Sequence, residues 1–286
     1  MTEQTQRIDD FKNFDAFVTG HPIKHSLSPL IHNYWLNKHH IDARYGKIET
    51  APDGLKNLIT QCESYGIKGF NVTLPYKTDI MAYVDGITPQ AAAIGAVNTV
   101  YKSDNDQWIG DNTDYIGFLQ SLPGDTEFNN ALVIGAGGAS RAIIYALQTK
   151  GVKTTITNRT SEKAQTLAKE FAKEFDCNTL NFTDVDAEMA SFDLIINTTA
   201  CGMNGENPLP FSYANLATHT TLFDAVYTPL MTPFLSAGAD KGCGFISGLD
   251  MLLYQAVDGF EKWFGVRPNV DQTLKDFVLH HIKERA

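Results

Sequence analysis

The fold class follows from one stretch, Ala131-Leu-Val-Ile-Gly135-Ala-Gly137-Gly138-Ala139-Ser140-Arg-Ala142, in which glycines join an apolar run to a helical pattern. Gly135 permits a tight turn, and Gly137 lets the backbone approach a pyrophosphate. The N-terminus of the helix offers unpaired N–H groups and a positive dipole end to the phosphates. Ser140 stands where the usual pattern has a third glycine. The stretch predicts a dinucleotide-binding turn, and a plain strand-turn-helix is the alternative. The predicted cofactor contacts here are Gly135, Ala136, Gly137, Gly138 and Ala139.

The end of the next predicted strand indicates which dinucleotide binds. The chain reads Thr157-Asn158-Arg159-Thr160-Ser161-Glu162-Lys163, at the distance of about 20 residues where this fold meets the 2′ position of the adenosine ribose. No acidic residue stands directly at the strand end to accept bonds from a 2′-hydroxyl. Arg159 can clamp a 2′-phosphate, and Lys163 adds charge one helical turn away. We therefore predict NADP rather than NAD, the alternative being that both cations are ordinary solvated residues.

Both halves of the chain alternate short apolar runs with helical patterns, which predicts an α/β protein. In the first half, Ala16–Gly20, Arg44–Ile48 and Gly69–Thr73 are predicted strands, and Val97–Tyr101 with Gln107–Gly110 forms an antiparallel hairpin. The second half has continuous apolar runs typical of strands that are buried on both faces. These runs are Ala131–Ile134, Val152–Thr157, Leu194–Asn197, Leu222–Val226 and Gly244–Ile246.

The length of 286 residues favours two domains. An apolar helical stripe from Leu249 to Phe260 follows the last strand of the second half and can pack back on the first domain. We predict a mixed-sheet, substrate-binding domain made of residues 1–113 and 249–286. A Rossmann-type NADP-binding domain takes residues 114–248, with a cleft between the two domains.

The charge balance bears on the partners of the protein. The formal net charge is -10, whereas nucleic acids and anionic membranes both call for a basic face. Residues 1–10 are polar, and no run approaches the ~18 apolar residues of a membrane helix. We expect no nucleic acid and no membrane partner. We expect a cytoplasmic monomer or homodimer that binds a small-molecule substrate.

No metal site is predicted from the cysteines or histidines. Cysteines 62, 177, 201 and 243 lie far apart, without the spacing of a zinc site or a redox pair. His21 and His25 have the spacing of ligands on one helix, but Pro22 between them excludes that helix.

Four short motifs follow one another in the first half of the chain. They are Gly20-His-Pro-Ile-Lys-His-Ser26-Leu-Ser28-Pro29, Gly69-Phe-Asn71-Val-Thr73-Leu-Pro75-Tyr-Lys77, Ala96-Val-Asn98-Thr99-Val100 and Gly110-Asp-Asn112-Thr113-Asp114. Their order and spacing resemble the shikimate/quinate dehydrogenase family. The resemblance continues over nearly the whole chain. It includes the glycine turn, Asn158-Arg159-Thr160, Asn197-Thr-Thr-Ala-Cys-Gly202-Met203, Asp224-Ala-Val-Tyr227 and Gly248-Leu-Asp-Met251.

The resemblance implies an oxidoreductase that uses NADPH to reduce 3-dehydroshikimate reversibly to shikimate. It implies that this reaction belongs to the chorismate pathway of aromatic amino acid biosynthesis. It implies that Lys77 and Asp114 form the catalytic pair. It also implies that Ser26 and Ser28 bind the substrate carboxylate. The positions implied for the ring hydroxyls are Asn71, Thr73, Asn98 and Gln255. Those implied for the cofactor, beyond the residues above, are Asn158, Thr160, Asn197, Thr199, Tyr227, Gly248 and Met251.

Several of these residues have a structural alternative. Ser28 precedes Pro29 and is also an ordinary N-cap, whereas Ser26 has no such duty. Pro75 is expected to open a helix, which would place Lys77 near the positive end of a dipole. The remaining alternatives are turn formers at Asn71, Thr73 and Asn98, an exposed helix residue at Gln255 and an N-cap at Asp114.

Two competing functions stay open. The first is a dehydrogenase of the same fold that accepts quinate as well as shikimate, or NAD as readily as NADP. The second is a non-catalytic, NADP-binding sensor, which would need neither Lys77 nor Asp114 beside a set of polyol-binding groups.

Overall fold

The computed structural model describes residues 11–124, 126–172 and 176–285. The chain divides into two compact units, Met1–Thr113 with Gln255–His281 and Asp114–Tyr254 with Ile282–Ala286. The predicted α/β class is confirmed. The chain returns from the second unit to the first between Tyr254 and Gln255, inside a helix, whereas the sequence predicts this return after residue 248. The exact domain boundaries stay predictions. The polar residues 1–10 lie outside the described residues.

The first unit is built on a mixed sheet. In sheet order, its described strands are β2 (Tyr45–Glu49), β1 (Ala16–Gly20), β3 (Gly69–Val72), β5 (Thr99–Lys102), β6 (Trp108–Asp111) and β4 (Gly86–Ile87). β1 pairs in parallel with β2 and β3, whereas β5 runs antiparallel to both β3 and β6. The predicted hairpin is therefore confirmed as β5 and β6. The two-residue strand β4 is too short to leave an apolar pattern in the sequence.

The second unit is built on a parallel sheet. In sheet order, its described strands are β12 (Gly244–Ser247), β11 (Thr221–Asp224), β10 (Leu194–Asn197), β7 (Asn130–Ile134), β8 (Lys153–Thr157) and β9 (Cys177–Thr179). β7 pairs with β8 on one side and with β10 on the other, all in parallel. The strand order reverses at β7, and ligands of open α/β sheets bind at the carboxyl ends of the strands at such a point. The predicted Rossmann-type sheet is confirmed.

Helices connect the strands of both sheets. In the described residues they are α1 (Ser28–Lys38), α2 (Leu55–Ser64), α3 (Pro89–Ile94), α4 (Asp114–Ser121), α5 (Gly138–Thr149), α6 (Ser161–Phe171), α7 (Val185–Glu188), α8 (Pro233–Asp240), α9 (Gly248–Phe264) and α10 (Gln272–Arg285). Short 3-10 turns cover Asp79–Ala82, Phe182–Asp184, Met189–Ser191 and Met203–Gly205. None of these helices has the length and apolarity that spanning a membrane would require.

The C-terminal part of α9 belongs to the first unit and is anchored there. Trp263 donates from Nε1 to the carbonyl of Val100 on β5 at 3.0 Å. A Cβ added at Gly69 of β3 would lie 2.0 Å from Nε1 of Trp263, so β3 and the indole are in close contact. Burial of an aromatic ring of this size contributes strongly to a core. The apolar stripe predicted on this helix is confirmed, since Leu253, Ala256 and Phe260 are fully buried.

One local prediction and one structural alternative are wrong. Pro75 does not open a helix, because residues 74–78 form turns that end in the 3-10 segment Asp79–Ala82. The buried Tyr76 fixes these turns by donating from its hydroxyl to the carbonyl of Thr50 at 2.6 Å. Ser28 is not the N-cap of α1, since Leu27 takes that position and no side chain caps the helix.

Candidate active site

The glycine turn after β7 has the backbone geometry that a dinucleotide requires. Gly135 has φ 123°, and a Cβ added there would lie 2.3 Å from Oγ1 of Thr198. Gly137 is the N-cap of α5, and a Cβ added there would meet nothing within 4 Å. Gly135 is therefore needed for its conformation. Gly137 instead leaves open space beside the first N–H groups of α5, where phosphates fit.

Ser140 replaces the third glycine and takes a structural role. Its Oγ accepts a hydrogen bond from the N–H of Gly137 at 3.0 Å and lies 2.6 Å from Oγ1 of Thr198. Thr198 in turn donates to the carbonyl of Ile134 at 2.8 Å. The serine thus ties the glycine turn to the loop after β10, and the departure from the usual pattern is compatible with the site.

The end of β8 carries the predicted 2′-phosphate contacts. Arg159, Thr160 and Lys163 are exposed, and Asn158 donates from Nδ2 to the carbonyl of Thr160 at 2.9 Å. Thr160 is the N-cap residue of α6, although its side chain makes no capping bond. Exposed cations at the start of a helix are favourable only beside an anion, which fits a phosphate at this place.

A cavity of about 250 Å³ lies between the glycine turn and α6. Ala136 of the turn lines it together with Lys163 and Glu162 of α6, and Arg141 of α5 contributes a second cation. Arg141 is ion-paired with Glu170 at 2.6 Å, so its guanidinium is already partly neutralised. Lys163 is therefore the cation of this cavity that can meet an anionic group of the cofactor, while Glu162 opposes it.

A buried carboxylate that the sequence reading missed joins the ends of β10 and β11. Asp224 accepts hydrogen bonds from Asn197 Nδ2 at 2.9 Å, Thr232 Oγ1 at 2.6 Å and the N–H of Val226 at 2.9 Å. Burial raises the pKa of Asp224 to about 6, and these bonds oppose that rise. An aspartate at the end of a buried strand is the signal that could have identified it.

The predicted cofactor residues of the later strands lie in different surroundings. Asn197 is fully buried, donates to the carbonyl of Cys201 and to Asp224, and accepts from the N–H and hydroxyl of Thr199. Its amide therefore holds the loop after β10. Met251 is 7% exposed and packs in the core of the second unit. Tyr227 is partly exposed.

Gly248 begins α9 at a point of close backbone contact. A Cβ added there would lie 2.4 Å from the carbonyl oxygen of Ala225. Any side chain would push the start of α9 away from the loop after β11. The predicted role of Gly248 in cofactor binding is thus joined to a packing requirement in the second unit.

A polar network occupies the first unit at the ends of β3 and β5. Asn98 accepts on Oδ1 from the N–H of Thr113 at 2.7 Å and donates from Nδ2 to Gln255 Oε1 at 3.3 Å. Asn71 donates from Nδ2 to the carbonyl of Asn98 at 3.2 Å. Asn71, Asn98 and Gln255 are each at most 8% exposed. Gln255 is therefore not an exposed helix residue, and three of the predicted hydroxyl-binding amides lie in one network.

The predicted carboxylate-binding serines lie together at the start of α1. Ser26 Oγ accepts from the N–H of Ser28 at 3.3 Å, and the two hydroxyl oxygens are 3.2 Å apart. Ser26 thus has a local structural contact with the start of α1, although no side chain caps the helix. Their hydroxyls and the first turn of α1 offer donors to an anion without burying a cation. Thr73 is partly exposed, and its N–H donates to the carbonyl of Thr19 at 2.9 Å.

The predicted catalytic residues connect to the polar network through the backbone. The carbonyl of Lys77 accepts from the N–H of Val97, next to Asn98, at 2.7 Å. Thr113, bonded to Asn98, directly precedes Asp114. Asp114 is 5% exposed and is the first residue of α4, where the helix dipole favours a carboxylate. Lys77 is partly exposed in a turn, so the expected helix dipole does not act on it.

A buried histidine near Asn71 was also missed. His32 is fully buried and stacks on Tyr45, with ring centroids 4.1 Å apart. Neither of its ring nitrogens has a hydrogen-bond partner in the described structure. Burial lowers the pKa of His32 to about 3, opposed by the neighbouring Asn71 side chain. The ring is neutral at physiological pH. A lone histidine in an apolar helix pattern does not indicate that its ring is buried and neutral.

Among the residues with described positions, no three or more His, Cys, Asp or Glu side chains are grouped to hold a metal ion.

Family models match three segments of the chain. Residues 18–100 match the shikimate dehydrogenase substrate binding domain, and residues 119–204 match shikimate / quinate 5-dehydrogenase. Residues 248–275 match the shikimate 5′-dehydrogenase C-terminal domain.

Individual relatives match over nearly the full length. A shikimate dehydrogenase (NADP(+)) of Brucella canis is 40% identical over 272 residues, covering 92% of this chain and 93% of the relative. The structure of shikimate 5-dehydrogenase from Thermus thermophilus with NADP(H) and shikimate is 30% identical, with TM-score 0.82 and coverage of 95% and 99%. Quinate dehydrogenase from Corynebacterium glutamicum in complex with NAD is 27% identical, with TM-score 0.85 and coverage of 93% and 98%.

Proposed function

The chain belongs to the shikimate/quinate dehydrogenase family, and we propose on that premise that it reduces 3-dehydroshikimate reversibly to shikimate with NADPH. The observation that carries the proposal is the buried amide network of Asn71, Asn98 and Gln255 beside the backbone of Lys77. A polyol is distinguished from its analogues by neutral donors and acceptors of this kind. The relative from Brucella canis carries the same activity in its name.

The catalytic step needs one proton at the substrate oxygen. NADPH, when bound, supplies the hydride for the carbonyl carbon. Lys77 gives the proton to the oxygen that becomes the hydroxyl, and takes it back in the reverse direction. Asp114 is the partner that stabilises the ammonium form and orients it. Asp114 is 5% exposed at the start of α4, and a buried carboxylate interacts more strongly with a cation than an exposed one does.

The remaining groups hold the two ligands. Ser26 and Ser28 bind the carboxylate, and Thr73 joins the amides at the ring hydroxyls. The glycine turn with Gly137 holds the pyrophosphate, while Arg159 and Lys163 hold the 2′-phosphate. The open space at Gly137 and the exposed cations support this assignment. Asn158, Thr160, Thr199, Tyr227 and Met251 complete the proposed cofactor contacts.

The nearest alternative is an enzyme that accepts quinate or NAD, as the Corynebacterium relative does by name. Steady-state kinetics with shikimate and quinate, each with NADP and NAD, distinguish the two. We expect turnover with shikimate and NADP. We also expect a large preference for shikimate over quinate and for NADP over NAD. Equal turnover with quinate would support dual specificity. NADP binding without turnover on either substrate would support a non-catalytic sensor. Cytoplasmic location and a monomeric or homodimeric state remain predictions.

A further inference from the structure

A directional chain of hydrogen bonds crosses the polar network of the first unit. Tyr45 donates from its hydroxyl to Asn71 Oδ1 at 2.6 Å, and Asn71 Nδ2 donates to Thr99 Oγ1 at 3.1 Å. Thr99 then donates to Asn98 Oδ1 at 3.1 Å, and Asn98 Nδ2 donates to Gln255 Oε1 at 3.3 Å. All five side chains are buried. Asn98 Oδ1 also accepts from the N–H of Thr113 at 2.7 Å, so the side-chain bonds and this backbone donor favour the same orientation of the Asn98 amide.

Tyr45 stands at the start of this chain. Its ring is held by stacking on His32, at an interplanar angle of 15°. Burial raises the pKa of Tyr45 well above its usual range, so the hydroxyl keeps its proton and can donate. The two Nδ2 hydrogens of Asn71 are used by the Asn98 carbonyl and by Thr99. The Asn71 amide is therefore held in one orientation, with oxygen toward Tyr45.

The orientation of the Asn71 amide also affects Asn98 and Gln255, the amides proposed to bind the substrate. The hydroxyl of Thr99 accepts from Asn71 and donates to Asn98 Oδ1 at 3.1 Å, with Thr113 Oγ1 as a second neighbour at 3.2 Å. Asn98 then presents Nδ2 to Gln255, and Gln255 turns Oε1 toward Asn98. A rotated amide in this network would bring two acceptors or two donors together, which is unfavourable in a buried site.

We propose that Tyr45 is a positioning residue, which acts through Asn71 and Thr99, together with the N–H of Thr113, to hold the orientation of the Asn98 and Gln255 amides and so supports recognition of the substrate ring hydroxyls. This inference rests on the proposed function, because the substrate is the one named there. Tyr45 itself lies on β2 and acts through the chain, without a role in the transfer of hydride or proton.

The first test is Tyr45→Phe, which keeps the ring stacked on His32 and removes only the hydroxyl. We expect the KM for 3-dehydroshikimate to rise about five- to tenfold, since a buried acceptor loses its donor. The KM for NADPH and kcat should change by less than about twofold. Thr19→Val is the matched control, because Thr19 makes a buried side-chain bond of 2.7 Å to Thr50 on the neighbouring strand, outside the chain. It should lower stability without changing KM.

A second test uses Thr99 and does not depend on the tyrosine variant. Thr99→Val removes the hydroxyl and should raise the same KM, whereas Thr99→Ser keeps the hydroxyl and should restore it. The double variant Tyr45→Phe/Thr99→Val should be no worse than the poorer single variant, because both break one chain. Unchanged KM in Tyr45→Phe, or additive effects in the double variant, would overturn the inference. An inactive wild-type enzyme would instead overturn the proposed function.

Discussion

Single residues of the candidate site differ in how much of their hydrogen-bonding capacity the protein itself uses. Asn197 makes all its described bonds within the second unit, to Thr199, Cys201 and Asp224. Asn71 is similar, since both Nδ2 hydrogens and one lone pair of Oδ1 are bonded. Such residues use most of their hydrogen-bonding groups to shape the site and offer few of them to a ligand. The family resemblance pointed to the correct polar positions, but a sequence does not tell which of them face inward.

Asp224 gives a prediction for stability against pH. Its pKa is 3.8 in an unfolded chain and about 6 in the folded protein. Between these values the folded protein binds a proton that the unfolded chain has lost. This contribution to stability is therefore present below pH 3.8 and is lost as pH rises through about 6. Relative to Asp224→Asn, wild type should lose about 3 kcal/mol of unfolding free energy over that window. Urea unfolding at several pH values measures it, and an opposite slope would refute the raised pKa.

Arg159 gives a prediction for cofactor choice. Arg159→Ala should weaken NADP binding about 10- to 100-fold, as expected for loss of charged hydrogen bonds to a phosphate. Binding of NAD should hardly change, because NAD lacks the 2′-phosphate. Lys169→Ala, which removes an exposed cation in the last turn of α6, is the control. Fluorescence titration with each dinucleotide measures both effects, and equal weakening of NADP and NAD would contradict the assignment.

At the scale of elements, the strand-turn-helix of the second unit was the most predictable part of the protein. Its strand is a continuous apolar run, its turn contains the glycines and its helix has a regular apolar face, so all three signals are local. The turn after β3 was mispredicted because a tertiary bond from Tyr76 to Thr50 decides its conformation. β4 depends on pairing with β6 and has no pattern of its own.

The glycine turn gives a paired prediction. Gly135→Ala places a side chain at positive φ, against Thr198, and should cost about 1–3 kcal/mol of stability as well as cofactor affinity. Gly137→Ala has open space and should leave the melting temperature nearly unchanged, while NADP binding weakens because the Cβ lies where the pyrophosphate approaches. Thermal unfolding and NADP titration of both variants provide the check. Normal NADP affinity in Gly137→Ala would contradict the position assigned to the pyrophosphate.

At the scale of the whole molecule, contacts between distant parts of the sequence complete the site. Gln255 reaches Asn98 across a separation of 157 residues, and Tyr45 reaches Asn71 across 26. Apolar periodicity predicts that a helix exists near residue 255 but not which sheet it packs on. The family resemblance supplied Asn98 and Gln255 as site residues, whereas Tyr45, His32 and Asp224 emerged only from the folded structure. Long-range packing is the physical reason for that difference.

We propose above that Lys77 transfers a proton at a shikimate hydroxyl while the bound dinucleotide is NADP. The most direct measurement is the rate at which Lys77→Ala forms NADPH from shikimate and NADP, compared with wild type and with NADP affinity determined separately. We expect the rate of Lys77→Ala to be about 10²- to 10⁴-fold lower, the usual contribution of a general acid or base, with unchanged NADP affinity. A wild-type rate in Lys77→Ala would contradict it.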